Sequence, residues 1–549
     1  MMLPDSHWTL RPRGRRRRLS LLTLLCGLGL TLVAFGATES AGYSGTRGPS
    51  GTILTSVTSG KGEPSHLFDT SGTRGMAAQG SDIASKRSRA YTAAPPAASA
   101  SHPYYVSPEG NDHAGGTAAH PWATLQHAVD AVPGGAVILL DAGVYHQAVT
   151  IERNGFAHGR PLVIEPTFGQ RATLDGSGAG AQNEGLINID DSAGIVIRGL
   201  SIRDNSTASP NDTPMGIEVS GYDHAIMIVG NHISDIDTTV STSGGNAQGI
   251  GVYGTATQPI TAITIADNRL DHMRLGASET IAINGNVDGF QVTGNLVYDS
   301  DNIGIDAIGF EGTAPTPALD RARSGIIAHN TVYGISSWGN PAYGDQYAAD
   351  GIYVDGGTQI QVLDNRVYDC DYGVEFASEH HDGNTSHITM VGNLVYDNRA
   401  AGLSVGGYDD KRGFTADCLI SHNTFYHNDA LQGSGQIAFA YEVYHLTITH
   451  NIIDGLAGDE LIGNPFTQNA FNTVNDNLYW SPAGPQAAQF QWRNQDITGF
   501  DAYRMKTGND RNSRFADPTF ADPSTGNFTQ TPNSPGYGFG AGSTLAPPA

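Results

Sequence analysis

The sequence predicts an all-β chain wound as a right-handed parallel β-helix, with an N-terminal capping helix and a C-terminal closing segment. Two observations predict it. One short phrase returns on successive turns, as IVGN, IADN, VTGNLVYD, IAHNTVYG, VLDNRVYD, MVGNLVYD, ISHNTFYH, ITHNIID and VNDN. Its asparagines are Asn231, Asn268, Asn295, Asn330, Asn365, Asn393, Asn423, Asn451 and Asn477, spaced 26 to 37 residues apart. Within each unit the apolar residues alternate with period two over short segments, which suits brief strands and not helices. Strands at a recurring interval without intervening helices describe a β-solenoid, here of about ten to twelve coils. An asparagine at a matching place in every coil fits, because stacked amides bond both one another and the backbone of their own turn.

The chain is 549 residues long. A solenoid adds coils to one continuous core, so this length is compatible with a single large domain. Residues 1–37 read as a secretory signal peptide: RPRGRRRR is a basic n-region, an apolar run follows from Leu19 to about Ala37, and Ala34 and Gly36 suit cleavage. The run approaches spanning length, so a retained membrane anchor is the alternative. Cys26, preceded by Leu25, lies too deep in the run for a lipoprotein cysteine. Losing this segment removes six arginines and one aspartate and takes the formal charge from −24 to −29. Such a chain does not hold nucleic acid through a basic surface. Residues 38–102, rich in Gly, Ser, Thr, Ala and Pro, read as a disordered linker, and 103–549 as the β-helix with its end caps. Cys370 and Cys418 are too few for a disulfide framework; they form one bridge between nearby coils or stay as two buried thiols.

Order begins at YYVSPEGNDHAGGTAAHPW. TLQHAVDAV has helical spacing and suits a helix over the open end of a solenoid, and AVILL and VYHQAVTI start the strands. At the other end DITGFDAYRMKTGNDRNSRFADPTF leaves the repeat, with a short helical stretch around Ala502 to Lys506. These two ends resemble those of the pectate-lyase-like superfamily of extracellular parallel β-helix proteins.

Each coil carries a further strand with its own phrase: GIEV, GIGVY, TIAIN, GIDAI, GIYVD, GVEFA, GLSVG and QIAFA. The second and fourth residues are apolar and face the core, as in Ile352 with Val354 and Val374 with Phe376. The third then points outward, giving the column Glu218, Gly251, Ala282, Asp306, Tyr353, Glu375, Ser404 and Ala438. The next outward column holds Asn284 and Asp355. With strands about 4.8 Å apart, Asp306 and Glu375 stand about 10 Å apart, and Asp355 and Glu375 about 8 Å on the diagonal. Asp301, Asp350, Asp371, Glu379, His380 and Asp382 border the same coils. An acidic protein shows such acids to solvent in any case, but carboxylates gathered on three coils cost stability unless a cation or shared proton compensates. The loop ISSWGNPAYGDQYAAD before this strand offers Trp338, Tyr343 and Tyr347, either to stack on sugar rings or to pack the loop down. Tyr353, Asn284 and His380 are further candidates for substrate contacts.

DCDYGVEFASEHHDGN followed by AGLSVGG resembles the part of family 9 pectate lyases that carries an acidic calcium cluster and then a glycine-bounded strand with the catalytic lysine. The resemblance implies Asp371 and Glu375 as calcium ligands and a lysine at position 404, where this chain has Ser404. The nearest lysine is Lys411, in the adjoining turn GGYDDKRG, so a base would come from Lys411 or Arg412. The expectation is a polysaccharide lyase working by Ca2+-assisted β-elimination, because the acidic cluster spreads over more residues than a hydrolytic pair needs, with an inverting hydrolase as the alternative. A lyase on a uronate polymer needs Ca2+, held by Asp350, Asp355, Asp371 and Glu375, and a base. An inverting hydrolase needs only two carboxyl groups about 6.5 to 9.5 Å apart, which Asp306, Asp355 and Glu375 supply. A glycan-binding β-helix without catalysis and a C5-epimerase are further possibilities. The expectation is a secreted monomer whose partner is a polysaccharide, with no nucleic acid and no membrane after signal cleavage.

Overall fold

The recurring asparagine is the seam on which the coils register. The residues described by the computed structural model are 103–178, 184–431 and 434–541; the expected signal peptide, 1–37, and linker, 38–102, lie outside them. Each coil adds one strand to each of three sheets, and each sheet is thirteen strands deep. The coil of Asn365 is representative. Gln361–Leu363 joins a first sheet, Arg366–Tyr368 a second, and Tyr372–Ser378 a third that we call the groove sheet. Neighbouring strands pair in parallel with their equivalents one coil away, as in Ile352 with Val374 and Val374 with Leu403. The final pair of the groove sheet, Gln489–Trp492 with Asp496–Thr498, is antiparallel. Thirteen exceeds the ten to twelve expected, because strands between Tyr104 and Arg198 precede the first asparagine of the phrase.

In the ladder each Oδ1 from Asn268 onward accepts two bonds from the asparagine of the preceding coil, and Asn231 Oδ1 accepts from Leu200 N at 3.0 Å. Asn330 donates to Asn365 Oδ1 from its backbone N at 3.0 Å and from Nδ2 at 3.0 Å, and Asn365 repeats both toward Asn393 at 2.9 Å. The second Nδ2 proton goes to a strand carbonyl, Ile327 O for Asn365 at 2.9 Å. An amide's donors and acceptor are thereby used in full inside the protein. The residue before each of these asparagines has positive φ and is always Gly, Asp or His: Asp267, His329, Asp364, His422, His450 and Asp476 lie between 51° and 57°. Glycine, and the short polar side chains of Asp and His, tolerate that left-handed conformation best. A second, shorter ladder runs from Cys370 N through Asn398 and Asn428 to Gln436.

The core is a set of aliphatic stacks. In the groove sheet Ile217, Ile250, Ile281, Ile305, Ile352, Val374, Leu403 and Ile437 are buried one above another. The glycine opening the GIYVD and GVEFA phrases is required by this packing: a Cβ on Gly351 would stand 2.4 Å from Val367 Cγ1, and one on Gly373 2.4 Å from Val395 Cγ1. Cys370 and Cys418 are buried free thiols. At the N-terminal end the helix Leu125–Ala131, N-capped by Thr124, buries Leu125, Ala128 and Val129 in the core. At the other end the helix Phe500–Thr507 stacks Tyr503 on Phe490 at 4.3 Å. The segment after it returns along the second sheet, where Phe520, Phe528 and Ala541 pack on Tyr368, Tyr396 and Tyr426.

Candidate active site

Strand alternation delivers a column of outward residues on the groove sheet, and hydrogen-bonded pairing sets its order. Glu218, Gly251, Ala282, Asp306, Tyr353, Glu375, Ser404 and Ala438 follow one another coil by coil. Asp306 and Glu375 therefore flank Tyr353. Ser404 Oγ donates to Glu375 Oε1 at 2.8 Å, so the serine at the position where the resemblance asks for a lysine serves as a hydrogen-bond donor to the carboxylate. Asp350, at the start of the Tyr353 strand, lies beside Glu375, and burial followed by the Glu375 charge raises its carboxyl well above the ordinary range.

Beside this pair lies a second group. Asp355 Oδ1 accepts from Glu379 N at 3.1 Å, while Asp355 Oδ2 stands 3.8 Å from His380 Nε2. His380 Nε2 is also 4.0 Å from Glu311 Oε1, and Glu311 Oε2 accepts from Asn284 Nδ2 at 2.7 Å. The Tyr353 hydroxyl donates to Glu379 Oε1 at 3.4 Å. Farther along, Tyr253 donates to Gln248 Oε1 at 2.5 Å and Gln248 Nε2 to Glu279 Oε2 at 2.9 Å. Asp350, Asp306 and Asp355 form the floor, only 2 %, 3 % and 5 % exposed, while Glu375 and His380 are half-buried and Glu311 and Glu379 open to solvent. Burial, followed by the charges of neighbouring carboxylates, pushes Asp306, Asp350 and Asp355 well above the ordinary carboxylate range. Burial raises Glu375 too, against the Ser404 and Asp350 hydrogen bonds that stabilise its ionised form. Among the described residues no lysine or arginine forms an ion pair with Glu279, Asp306, Glu311, Asp350, Asp355, Glu375 or Glu379.

Several expected participants stand elsewhere. Asp371 is fully buried, and its Oδ2 accepts from Ser337 N at 2.8 Å, Ala348 N at 3.2 Å and Ala349 N at 3.2 Å, with Ser337 Oγ at 3.3 Å. Its Oδ2 ties both ends of the 337–349 loop, and its Oδ1 stands 3.7 Å from Arg399 Nη1. Among the described residues, Asp350, Asp355, Asp371 and Glu375, expected to hold Ca2+, do not bring one ligand atom each within 4.8 Å of one another, whereas Glu311, Asp355 and His380 do. Lys411 lies on an exposed turn with its backbone N bonded to Asp409 Oδ1, and its ammonium reaches none of the carboxylates. Arg412 is held by Asp409 at 2.6 Å and lies over the Tyr408 ring.

The loop aromatics are neighbours of the groove floor and not part of it. Trp338 stacks on Tyr347 at 4.6 Å, Arg399 covers Tyr347 at 5.6 Å, and the Tyr343 hydroxyl accepts from Asn302 Nδ2 at 3.3 Å. Trp338, 52 % exposed, lines a separate cavity of about 820 Å³ together with Asp237, Arg274, Asp301 and Asn340. Glu279 and Glu311 were outside the outward columns because both sit in loops. A signal for Glu279 did exist: SETIAIN and ADGIYVD each place an acid two residues before the first core isoleucine, at matching positions of the coil.

Residues 216–413 match the model of the right handed beta helix region, which covers the strands that build this groove. A curated relative, the uncharacterized protein YwoF of Bacillus subtilis (strain 168), is 43% identical over 437 residues, spanning 78% of this chain and 91% of its own length. The chain belongs to the YwoF family of right-handed parallel β-helix proteins. Pectate lyase Pel9A is 14% identical and matches 79% of this chain and 90% of its own, with a TM-score of 0.35. The GH136 lacto-N-biosidase from Eubacterium ramulus is 16% identical, over 70% of this chain and 64% of its own, with a TM-score of 0.46. These two likenesses concern the winding of the chain alone.

Proposed function

We propose that the protein is a carbohydrate-active enzyme, a glycoside hydrolase whose acid and base are carboxyl groups of the groove sheet. The observation that carries this reading is the Asp306–Tyr353–Glu375 column, with Ser404 donating to Glu375. Two strand spacings separate Asp306 from Glu375, about 10 Å between backbones, close to the roughly 6.5 to 9.5 Å between carboxyl groups that leaves room for an attacking water. Glu375, half-buried and accepting a hydrogen bond from the Ser404 hydroxyl, is the group we assign as base. Asp306, whose carboxyl burial pushes well above the ordinary range, is the group we assign as proton donor to the leaving oxygen. A neutral glycan suits the groove better than a polyanion, because among the described residues none of its seven carboxyl groups pairs with a lysine or arginine. Polysaccharide and export remain the expected partner and destination of the chain.

Cation-assisted β-elimination is the second reading, and the approach of Glu311, Asp355 and His380 to a common point is what favours it. Against it, among the described residues no lysine or arginine forms an ion pair with the groove carboxylates. The test is turnover by Asp306→Asn and Glu375→Gln on a glycan that the wild-type protein cleaves. Each substitution should lower the rate by about a hundredfold or more while binding of the glycan persists. Near-normal rates in both variants would remove the pair from the chemistry.

A further inference from the structure

We infer that Glu311, Asp355 and His380 form a divalent-cation site at the edge of the groove, and that its imidazole ligand favours a borderline cation such as Mn2+ or Zn2+ over Ca2+. This stands independently of the hydrolase reading and replaces the ligand set that the sequence suggested. The three residues come from three successive coils, so no local motif announces them. One ligand atom from each lies within 4.8 Å of the others. His380 Nε2 is 3.8 Å from Asp355 Oδ2 and 4.0 Å from Glu311 Oε1, too far for good hydrogen bonds. Separations of about 3 to 4 Å are, however, what coordination bonds of about 2.1 Å to one ion produce.

Two further observations separate this group from a chance gathering of acids. Asn284 Oδ1 and Asp306 Oδ1 are buried side-chain oxygens with no hydrogen-bond partner, on residues only 1 % and 3 % exposed. The amide of Asn284 is held against the group, because its Nδ2 donates to Glu311 Oε2 at 2.7 Å. Asp306 feels the charges of both Asp355 and Glu311. An unpaired carboxyl oxygen can be answered by a proton, but the Asn284 amide oxygen cannot take one up and calls for a donor or a cation. The ligands are also held in place: Asn284 restrains Glu311, and Glu379 N restrains Asp355 through the oxygen that does not face His380. Calcium takes six to eight oxygens, whereas one imidazole nitrogen with two carboxylates suits a smaller, softer ion and leaves positions open to water or sugar hydroxyls. Glu311 and His380 keep 38% and 27% of their side chains exposed, so the site is reachable from the groove.

The test is calorimetric titration of the chelator-stripped full chain with MnCl2, ZnCl2 and CaCl2, with thermal melting as a second readout. We expect about one equivalent of Mn2+ or Zn2+, a melting temperature that rises with the bound ion, and Ca2+ weaker by at least about tenfold. His380→Gln and Glu311→Gln should each weaken binding by more than about tenfold, and Asn284→Ala by about tenfold. Circular dichroism of the stripped variants shows whether they keep the fold, and the Glu311 change, on an exposed loop, is expected to keep it. The inference fails if neither Mn2+ nor Zn2+ binds saturably, if binding survives both ligand substitutions in folded protein, or if Ca2+ binds as tightly as Mn2+ and is indifferent to His380→Gln.

Discussion

A buried carboxylate is committed to whatever donates to it, and Asp371 and Glu375 show the two extremes. Asp371 accepts from two ends of one loop, through Ser337 N, Ala348 N and Ala349 N. Removing it leaves those N–H groups without partners, at about 1 to 3 kcal/mol each. Asp371→Ala should therefore loosen residues 337–349 and accelerate limited proteolysis there, while cleavage elsewhere is unchanged; resistance equal to wild type would mean the loop is held by other contacts. Glu375 has one hydroxyl donor and one acid neighbour and remains open to the groove. Both residues look alike in DCDYGVEFA, four positions apart, because a sequence reveals which way a strand residue points but not which distant loop returns to claim it. The same limit hid Glu311, whose partners Asn284, Asp355 and His380 lie on other coils.

At the scale of elements, stability is a sum over neighbouring coils, and the asparagine ladder is where neighbours meet. Asn365 accepts from Asn330 twice and donates to Asn393 and to Ile327 O. Asn365→Ala orphans several buried groups at once, so it should cost about 3 kcal/mol or more, read as a shift in denaturation midpoint. A loss under about 1 kcal/mol would show that water or neighbouring groups replace the amide. This layer of the fold was legible because its period is written in the sequence: every ladder asparagine follows Gly, Asp or His, and every groove strand alternates around two core residues. The coils before Asn231 lack the phrase, which is why the expected number fell short of thirteen. The second ladder, Asn398 and Asn428, was not legible because it spans too few coils to establish a period.

The whole molecule carries many more acids than bases, and several of the acids are buried far from the groove. Burial raises Asp223 to about 7 and Asp454 to about 8, each with one buried oxygen lacking a partner. Each folded-state value exceeds the ordinary 3.8, so the folded protein holds protons that the unfolded chain has released. Stability is then greatest below about pH 4 as far as these groups are concerned, and falls as the pH rises toward 7 and 8. Asp454→Asn should flatten that decline by about one linked proton in denaturation series between pH 5 and 8; an unchanged slope would mean that Asp454 is ionised in the folded state. The same excess of unpaired acid on the groove sheet is the basis of the functional reading, and product chemistry tests it most directly. Incubated with a panel of neutral plant and microbial polysaccharides, the protein should release oligosaccharides with new reducing ends and no ultraviolet-absorbing unsaturated sugar. Unsaturated ends, or glycan binding without any release, would contradict acid and base hydrolysis by the Asp306–Glu375 pair.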